Sequence, residues 1–236
     1  MKKLFSKMYK DSAKSFYELL SKKLKNEEKM FVVTANPETF MICENDKDME
    51  ELLNDKNTIL VPDGIGVVKA SHILGEDVKE RITGVEIAAE LLKLGNIQNK
   101  SIYLFGSKQE VIDSLIKVIQ DKYPNLKVAG AVNGYEKEKD KLFREAAKTN
   151  PDIILVALGI PNQEKIIYRH LDEFKKGIFV GVGGSFDVLS GHKKRAPKMF
   201  IKLNLEWLYR IIKEPKRIKR FWNNNVKFLF KVRKER

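Results

Sequence analysis

The sequence predicts an α/β fold: a Rossmann-like parallel sheet layered between helices, carrying a basic amphipathic helical appendage at its carboxyl end. Three observations predict it. Short β-rich apolar runs recur along the chain, and they are apolar throughout rather than alternating, as strands buried on both faces are. Helical patterns lie between most of them. The net charge of +13 in 236 residues falls wholly after residue 192: Lys193 to Arg236 holds 16 Lys/Arg and 3 Asp/Glu, while the stretch before it holds 29 of each sign.

The runs are Met30–Thr34, Thr58–Val61, Ser101–Phe105, Lys127–Val132, Asp152–Leu158 and Ile178–Val182. Helical periodicity marks Val85–Leu94, Lys108–Lys122, Lys139–Thr149 and Asn162–Phe174. No fixed-period repeat or low-complexity linker divides the body, and 43% hydrophobic content in a chain of this length suits one α/β domain over residues 1–192. After Lys193 the strand signals stop. Two amphipathic patterns follow, divided at Pro215: Phe200, Leu203, Trp207, Leu208 and Ile211 share one face, and Ile218, Phe221, Trp222, Leu229 and Val232 the other. Residues 193–236 are therefore expected to form a helical appendage. Aromatic groups interleaved with cations suit a polyanionic surface.

Composition excludes several classes. A single cysteine, Cys43, rules out an internal disulfide framework and Cys-based zinc sites. The longest apolar stretch, Ile153 to Ile160, is far short of the roughly 20 residues that cross a bilayer. Lys7, Lys10, Asp11 and Lys14 interrupt any apolar run near the amino terminus, so a cleaved signal peptide is not expected. A cytoplasmic protein, peripheral on the inner face of the membrane, is the expectation.

In open α/β sheets ligands bind beyond the carboxyl ends of the strands. Five of the runs end in polar or glycine-rich sequence: Thr34-Ala35-Asn36-Pro37-Glu38, Pro62-Asp63-Gly64-Ile65-Gly66, Gly106-Ser107, Gly159-Ile160-Pro161-Asn162-Gln163-Glu164 and Gly181-Val182-Gly183-Gly184-Ser185. Each has a plain structural reading. Asp63-Gly64 can be a turn, Thr34 and Asn36 a helix cap, Ser107 a helix N-cap, and Gly183-Gly184 a relief of crowding. Repetition at successive strand ends favours a crevice for a phosphorylated ligand. Arg81, in Glu80-Arg81-Ile82-Thr83-Gly84, adds an anion-binding cation a short distance from the Asp63 carboxylate. A base and a cation are the minimal parts for transfer from a diphosphate donor to a hydroxyl.

Other chemistries fail on residues. The dinucleotide pattern would need glycine at Lys69 or at Phe186, and a Walker A loop is absent. Asp46-Lys47-Asp48 has a metal-binding spacing but follows Glu44-Asn45 rather than an apolar strand, and reads as a solvated helix start. His72, His170 and His192 lack ligand spacing. No metal and no cofactor is expected.

These motifs, with Lys194-Arg195-Ala196-Pro197 and Leu205-Glu206-Trp207-Leu208-Tyr209-Arg210 followed by Glu214-Pro215-Lys216-Arg217, resemble the WecG/TagA/CpsF glycosyltransferases, family 26, and in particular its TagA-type members. The similarity runs from about Phe31 to Phe221 and departs at the Lys-rich Met1–Lys29, where the family's short opening strand would stand. The resemblance implies an inverting, metal-independent transfer of N-acetylmannosamine from a UDP-sugar donor to the GlcNAc of undecaprenyl-diphosphate-GlcNAc, in wall teichoic acid synthesis. Asp63 would be the general base. Thr34, Asn36 and Gln163 would hold the donor or position the base. Arg81 would offset charge on departing UDP, with a salt bridge to Glu80 or Glu86 as its alternative. Gly183 and Gly184 would bring backbone N–H groups to the diphosphate. Arg210, Arg217 and Arg220, stacked on one face of a continuous helix, would bind the diphosphate of the polyprenyl-linked acceptor, or else lipid headgroups, on an anionic membrane surface. Pro215 would either interrupt that face or open a second helix. Another UDP-sugar, a uronic acid or a hexose, is the alternative within the family. A nucleic-acid-binding module is the alternative outside it, although no nucleic acid is expected as partner. The tail's apolar faces also leave a homo-oligomer open.

Overall fold

The computed structural model describes residues 1–235, apart from the side chains of Arg217 and Arg220. Two helices precede the sheet, α1 (Lys2–Lys7) and α2 (Ala13–Lys25). The first half then runs β1 (Lys29–Ala35), α3 (Pro37–Cys43), α4 (Lys47–Asn54), β2 (Thr58–Pro62), α5 (Ile65–Ile73), α6 (Gly84–Ile97) and β3 (Ser101–Gly106). The second runs α7 (Gln109–Lys122), β4 (Lys127–Val132), α8 (Lys139–Lys148), β5 (Ile153–Ala157), α9 (Asn162–His170), β6 (Gly177–Gly181) and α10 (Ser185–Leu189). The six strands form one all-parallel sheet in the order β2-β1-β6-β5-β3-β4. The expected doubly covered α/β layering is what forms.

The strands other than the partly exposed edge strand β4 are largely apolar because both of their faces are covered. Phe31, Val33 and Ala35 of β1 face one hydrophobic cluster with Phe105, Ile154, Val156 and Phe179. Met30 and Val32 face the other with Leu104, Ile153, Leu155 and Val180. In parallel strands all carboxyl ends meet at one edge of the sheet. The sheet order sets the ends of β2, β1, β6 and β5 side by side, which is where four of the five polar strand ends lie.

The Lys-rich opening folds as two amphipathic helices. Phe5 of α1 joins the first cluster; Phe16, Leu20 and Leu24 of α2 join the second. Between them, the Tyr9 N–H donates to the Leu60 carbonyl at 2.8 Å, which covers the outer edge of β2.

The tail differs from expectation in three places. Its first amphipathic pattern is two helices, α11 (Lys198–Lys202) and α12 (Glu206–Lys213), separated at Asn204, whose φ is +58°. Pro215 lies in a break between α12 and α13 (Arg217–Phe221), so Arg210, Arg217 and Arg220 do not share a continuous helix. Third, Trp222–Val226 is a π-helical segment leading into α14 (Lys227–Lys234). Its wider turn re-phases the face. Ile218 and Trp222 are exposed, while Phe228 and Val232 are fully buried with Phe5 and Phe40. The Phe5 and Phe40 rings stack with centroids 4.7 Å apart, and Phe228 lies 5.3 Å from Phe40. Lys231 pairs with Glu44, and the amino terminus lies 3.4 Å from Glu235.

Candidate active site

Asp63 stands at the tip of β2. Its N–H donates to the Ala35 carbonyl at 2.9 Å, and Gly64 follows at φ +103°, a left-handed conformation that turns the chain from strand to α5. The carboxylate is half-buried, and this burial pushes its pKa up to about 6. Arg81 and Arg210 pull it down; Glu206 and Glu86 push it further up. Arg81 is set in place by the Ile82 N–H donating to the Pro62 carbonyl at 2.8 Å, and by the capping box of Thr83 and Glu86 that opens α6.

The partner of Arg81 is neither Glu80 nor Glu86. It is Glu206, at the start of α12, at 3.7 Å. Glu80 accepts from the Ala13 N–H, and Glu86 accepts from Arg195 at 2.6 Å. Burial pushes the Glu86 carboxyl up, but its hydrogen bonds from Arg195 and Thr83 hold it below the ordinary value. Glu206 also takes Arg210 Nη2 at 2.7 Å and lies 3.7 Å from Arg195. Sequence reasoning gave Glu206 and Arg195 no role, although both lie inside quoted motifs. The available signal was that Glu206 is one of three acidic groups in a strongly basic segment. A cavity of about 400 Å³ shares Arg81 and Glu86 with this cluster and is further lined by Tyr17, Ile65, Val68 and Asn204. Burial, with Glu86 next, pushes the Tyr17 phenol up to about 12, so it remains a donor.

On β5 and β6 the site is built around Gln163. Its buried Oε1 accepts from the Gly159 N–H at 3.1 Å and the Gly183 N–H at 3.0 Å, and its Nε2 donates to Glu164 at 2.8 Å. Burial pushes the Glu164 carboxyl up to about 7. A Cβ on Gly181 would stand 2.6 Å from Gln163 Nε2 and 2.9 Å from Glu164 Oε1. Only glycine ends β6 without moving that network. Because Gln163 takes the Gly183 N–H, that group is not free for a diphosphate; Gly184 borders open space.

Thr34 donates to the Gly181 carbonyl at 3.3 Å, tying β1 to β6. Asn36 caps α3, accepting from the Thr39 N–H at 3.1 Å, with Thr39 completing a capping box. Ser107 is not a helix cap; it lies at φ +61°, and Lys108 precedes α7. Asp46 caps α4 and pairs with Lys165 at 2.8 Å, as a helix start does. The structure thus gathers Arg81, Arg195 and Arg210 around Glu206, and the charges of Arg81, Arg210 and Glu206 bear on Asp63. It gives Thr34, Asn36 and Gln163 internal partners. The Arg217 and Arg220 side chains lie outside the described residues.

The family model described as the glycosyl transferase WecG/TagA/CpsF family matches residues 4–236. The chain belongs to this family. The match takes in the amino-terminal helices and α14, beyond the stretch where the motifs lie. Among its WecG/TagA/CpsF relatives is a Bacillus subtilis (strain 168) protein named N-acetylglucosaminyldiphosphoundecaprenol N-acetyl-beta-D-mannosaminyltransferase, 45% identical over 191 residues, which cover 80% of this chain and 73% of that one. Proteins of the same name from Bacillus spizizenii and Staphylococcus aureus (strain MW2) are each 38% identical, over 80% and 87% of this chain and 74% and 80% of their own lengths.

Proposed function

We propose that this chain transfers N-acetylmannosamine from UDP-N-acetylmannosamine to the GlcNAc of undecaprenyl-diphosphate-GlcNAc, with inversion, as an early step in building the wall teichoic acid linkage unit. The observation that carries the reading is Asp63. It is a carboxylate at a parallel-strand tip with raised proton affinity and two guanidinium groups bearing on it. A pKa of about 6 leaves the group about nine-tenths ionised near pH 7, yet more basic than an ordinary aspartate. As the acceptor hydroxyl oxygen attacks the anomeric carbon, Asp63 takes its proton, and the bond from that carbon to UDP breaks. Arg81 offsets charge on the departing diphosphate. Gln163 acts as a positioning residue, holding the loops after β5 and β6, with Thr34 and Asn36 shaping the ends of β1 and α3. Gly184 leaves backbone room for the donor.

The tail takes the crevice to the membrane. Met199, Leu203, Ile212, Ile218, Trp222 and Phe230 are exposed among cations, and among the described residues no helix is long and apolar enough to cross a bilayer. This arrangement suits peripheral attachment to the anionic inner face, with Arg210, Arg217 and Arg220 near the acceptor diphosphate. The test is turnover of a panel of UDP-sugars with lipid-diphosphate-GlcNAc in the presence of EDTA. UDP-N-acetylmannosamine is expected to be the preferred donor, with activity retained because Asp46 and Asp48 are committed to Lys165. Preference for a uronate or hexose donor would move the chain to another branch of the family, and a strict metal requirement would return those two aspartates to the site.

A further inference from the structure

The basic tail contributes one carboxylate whose setting its own composition does not explain. Glu206 opens α12 with its side chain only 8% exposed, and among the described residues three guanidinium groups converge on it. Arg210 comes from the same helix at 2.7 Å. Arg81 comes from the loop before α6 at 3.7 Å, and Arg195 from the segment before α11 at the same distance. Arg195 is itself held by Glu86, inside the capping box of α6. A carboxylate is costly to bury unless its partners are well placed. Here two of the partners, Arg81 and Arg210, are the cations whose fields favour the ionised form of Asp63.

We propose that Glu206 is a positioning residue for the transfer: by anchoring Arg81 and Arg210 beside Asp63, it makes the seating of the tail a condition for a working base. The proposal rests on the reading of Asp63 as that base. Its physical content is a sign. Among the described residues, the charges that bear most on Asp63 are Arg81, which precedes α6; Arg210 and Glu206 of α12; and Glu86 of α6. Each arginine weighs more than Glu206 does. If Glu206 were a bystander, neutralising it would remove a repelling charge and make Asp63 a stronger acid. If Glu206 anchors the arginines, neutralising it releases two attracting charges for one repelling charge. Asp63 then becomes a weaker acid.

The measurement is a carbon-13 titration of carboxyl-labelled aspartate in the full chain, with the Asp63 signal assigned by Asp63→Asn. Wild type is compared with Glu206→Gln and Glu206→Asp, alongside the pH dependence of kcat/KM. In Glu206→Gln the Asp63 midpoint is expected to rise by about half a unit to one unit. The acid limb of the rate profile should rise with it, for a loss of about two- to fivefold at pH 6 that shrinks toward pH 8. Glu206→Asp keeps the charge but withdraws it by one methylene. It is expected to shift the midpoint the same way by less, and it carries the test if the Gln variant does not fold. A midpoint that stays or falls overturns the anchoring role and leaves the base assignment standing. A midpoint that rises while the rate profile stays put upholds the anchoring and overturns Asp63 as the base.

Discussion

A base that must be buried to be basic weakens the fold that holds it, and Asp63 shows how far. Its folded pKa is raised, so the stability tied to its proton is present below the unfolded value and is lost as pH rises through about 6. At neutral pH the ionised form is therefore destabilising, by roughly 1–2 kcal/mol once partial exposure is allowed for. Asp63→Asn should raise the melting temperature at pH 7.5 and leave it close to wild type near pH 4, in paired thermal melts; a lowered value at pH 7.5 would mean that the carboxylate is a structural ion pair. Gly181 makes a second prediction at this scale. Gly181→Ala puts a methyl 2.6 Å from Gln163 Nε2 and so displaces the amide that fixes both the Gly159 and Gly183 loops. Turnover is expected to fall on the order of tenfold or more, with the chain still folded by circular dichroism. Asp63 and Gln163 were legible in the sequence because strand ends are readable from the apolar runs before them. Glu206 and Arg195 were not, because their meaning depends on where the tail folds back, and no local pattern carries that.

Among elements, the strands follow their sequence signals to within one residue and the central helices to within four, since continuous apolar runs and 3.6-residue periods are local properties while helix ends depend on caps. The tail helices do not. Periodicity over 218–232 predicted one apolar stripe, but the π-helical Trp222–Val226 divides it, leaving Ile218 and Trp222 outside and taking Phe228 inside. That inward face is shared with α1, so the two ends of the chain complete one core. Phe228→Ala is accordingly expected to lower stability in denaturant titration by about 3–5 kcal/mol, the cost of a large buried aromatic. A chain cut near Gly191 should be weakened at least as much. A truncated chain with wild-type stability would show that α14 merely lies on the body.

Over the whole molecule, a tail of net +13 joins a neutral body, and through Glu206 and Arg210 it also reaches the charges around Asp63. Binding to anionic vesicles should fall as ionic strength rises. Replacing Arg210, Arg217 and Arg220 together by Gln should reduce vesicle binding modestly, because most of the basic tail remains. Transfer to the lipid-linked acceptor should fall far more, since a diphosphate needs placed guanidinium donors. Proportionate losses in sedimentation and in turnover would mark these arginines as ordinary surface contacts. The most direct test of the account is turnover of Asp63→Asn with UDP-N-acetylmannosamine and undecaprenyl-diphosphate-GlcNAc, measured beside its affinity for UDP. The account predicts a fall in turnover of about 10²–10⁴ with UDP binding nearly unchanged, and turnover close to wild type would contradict it.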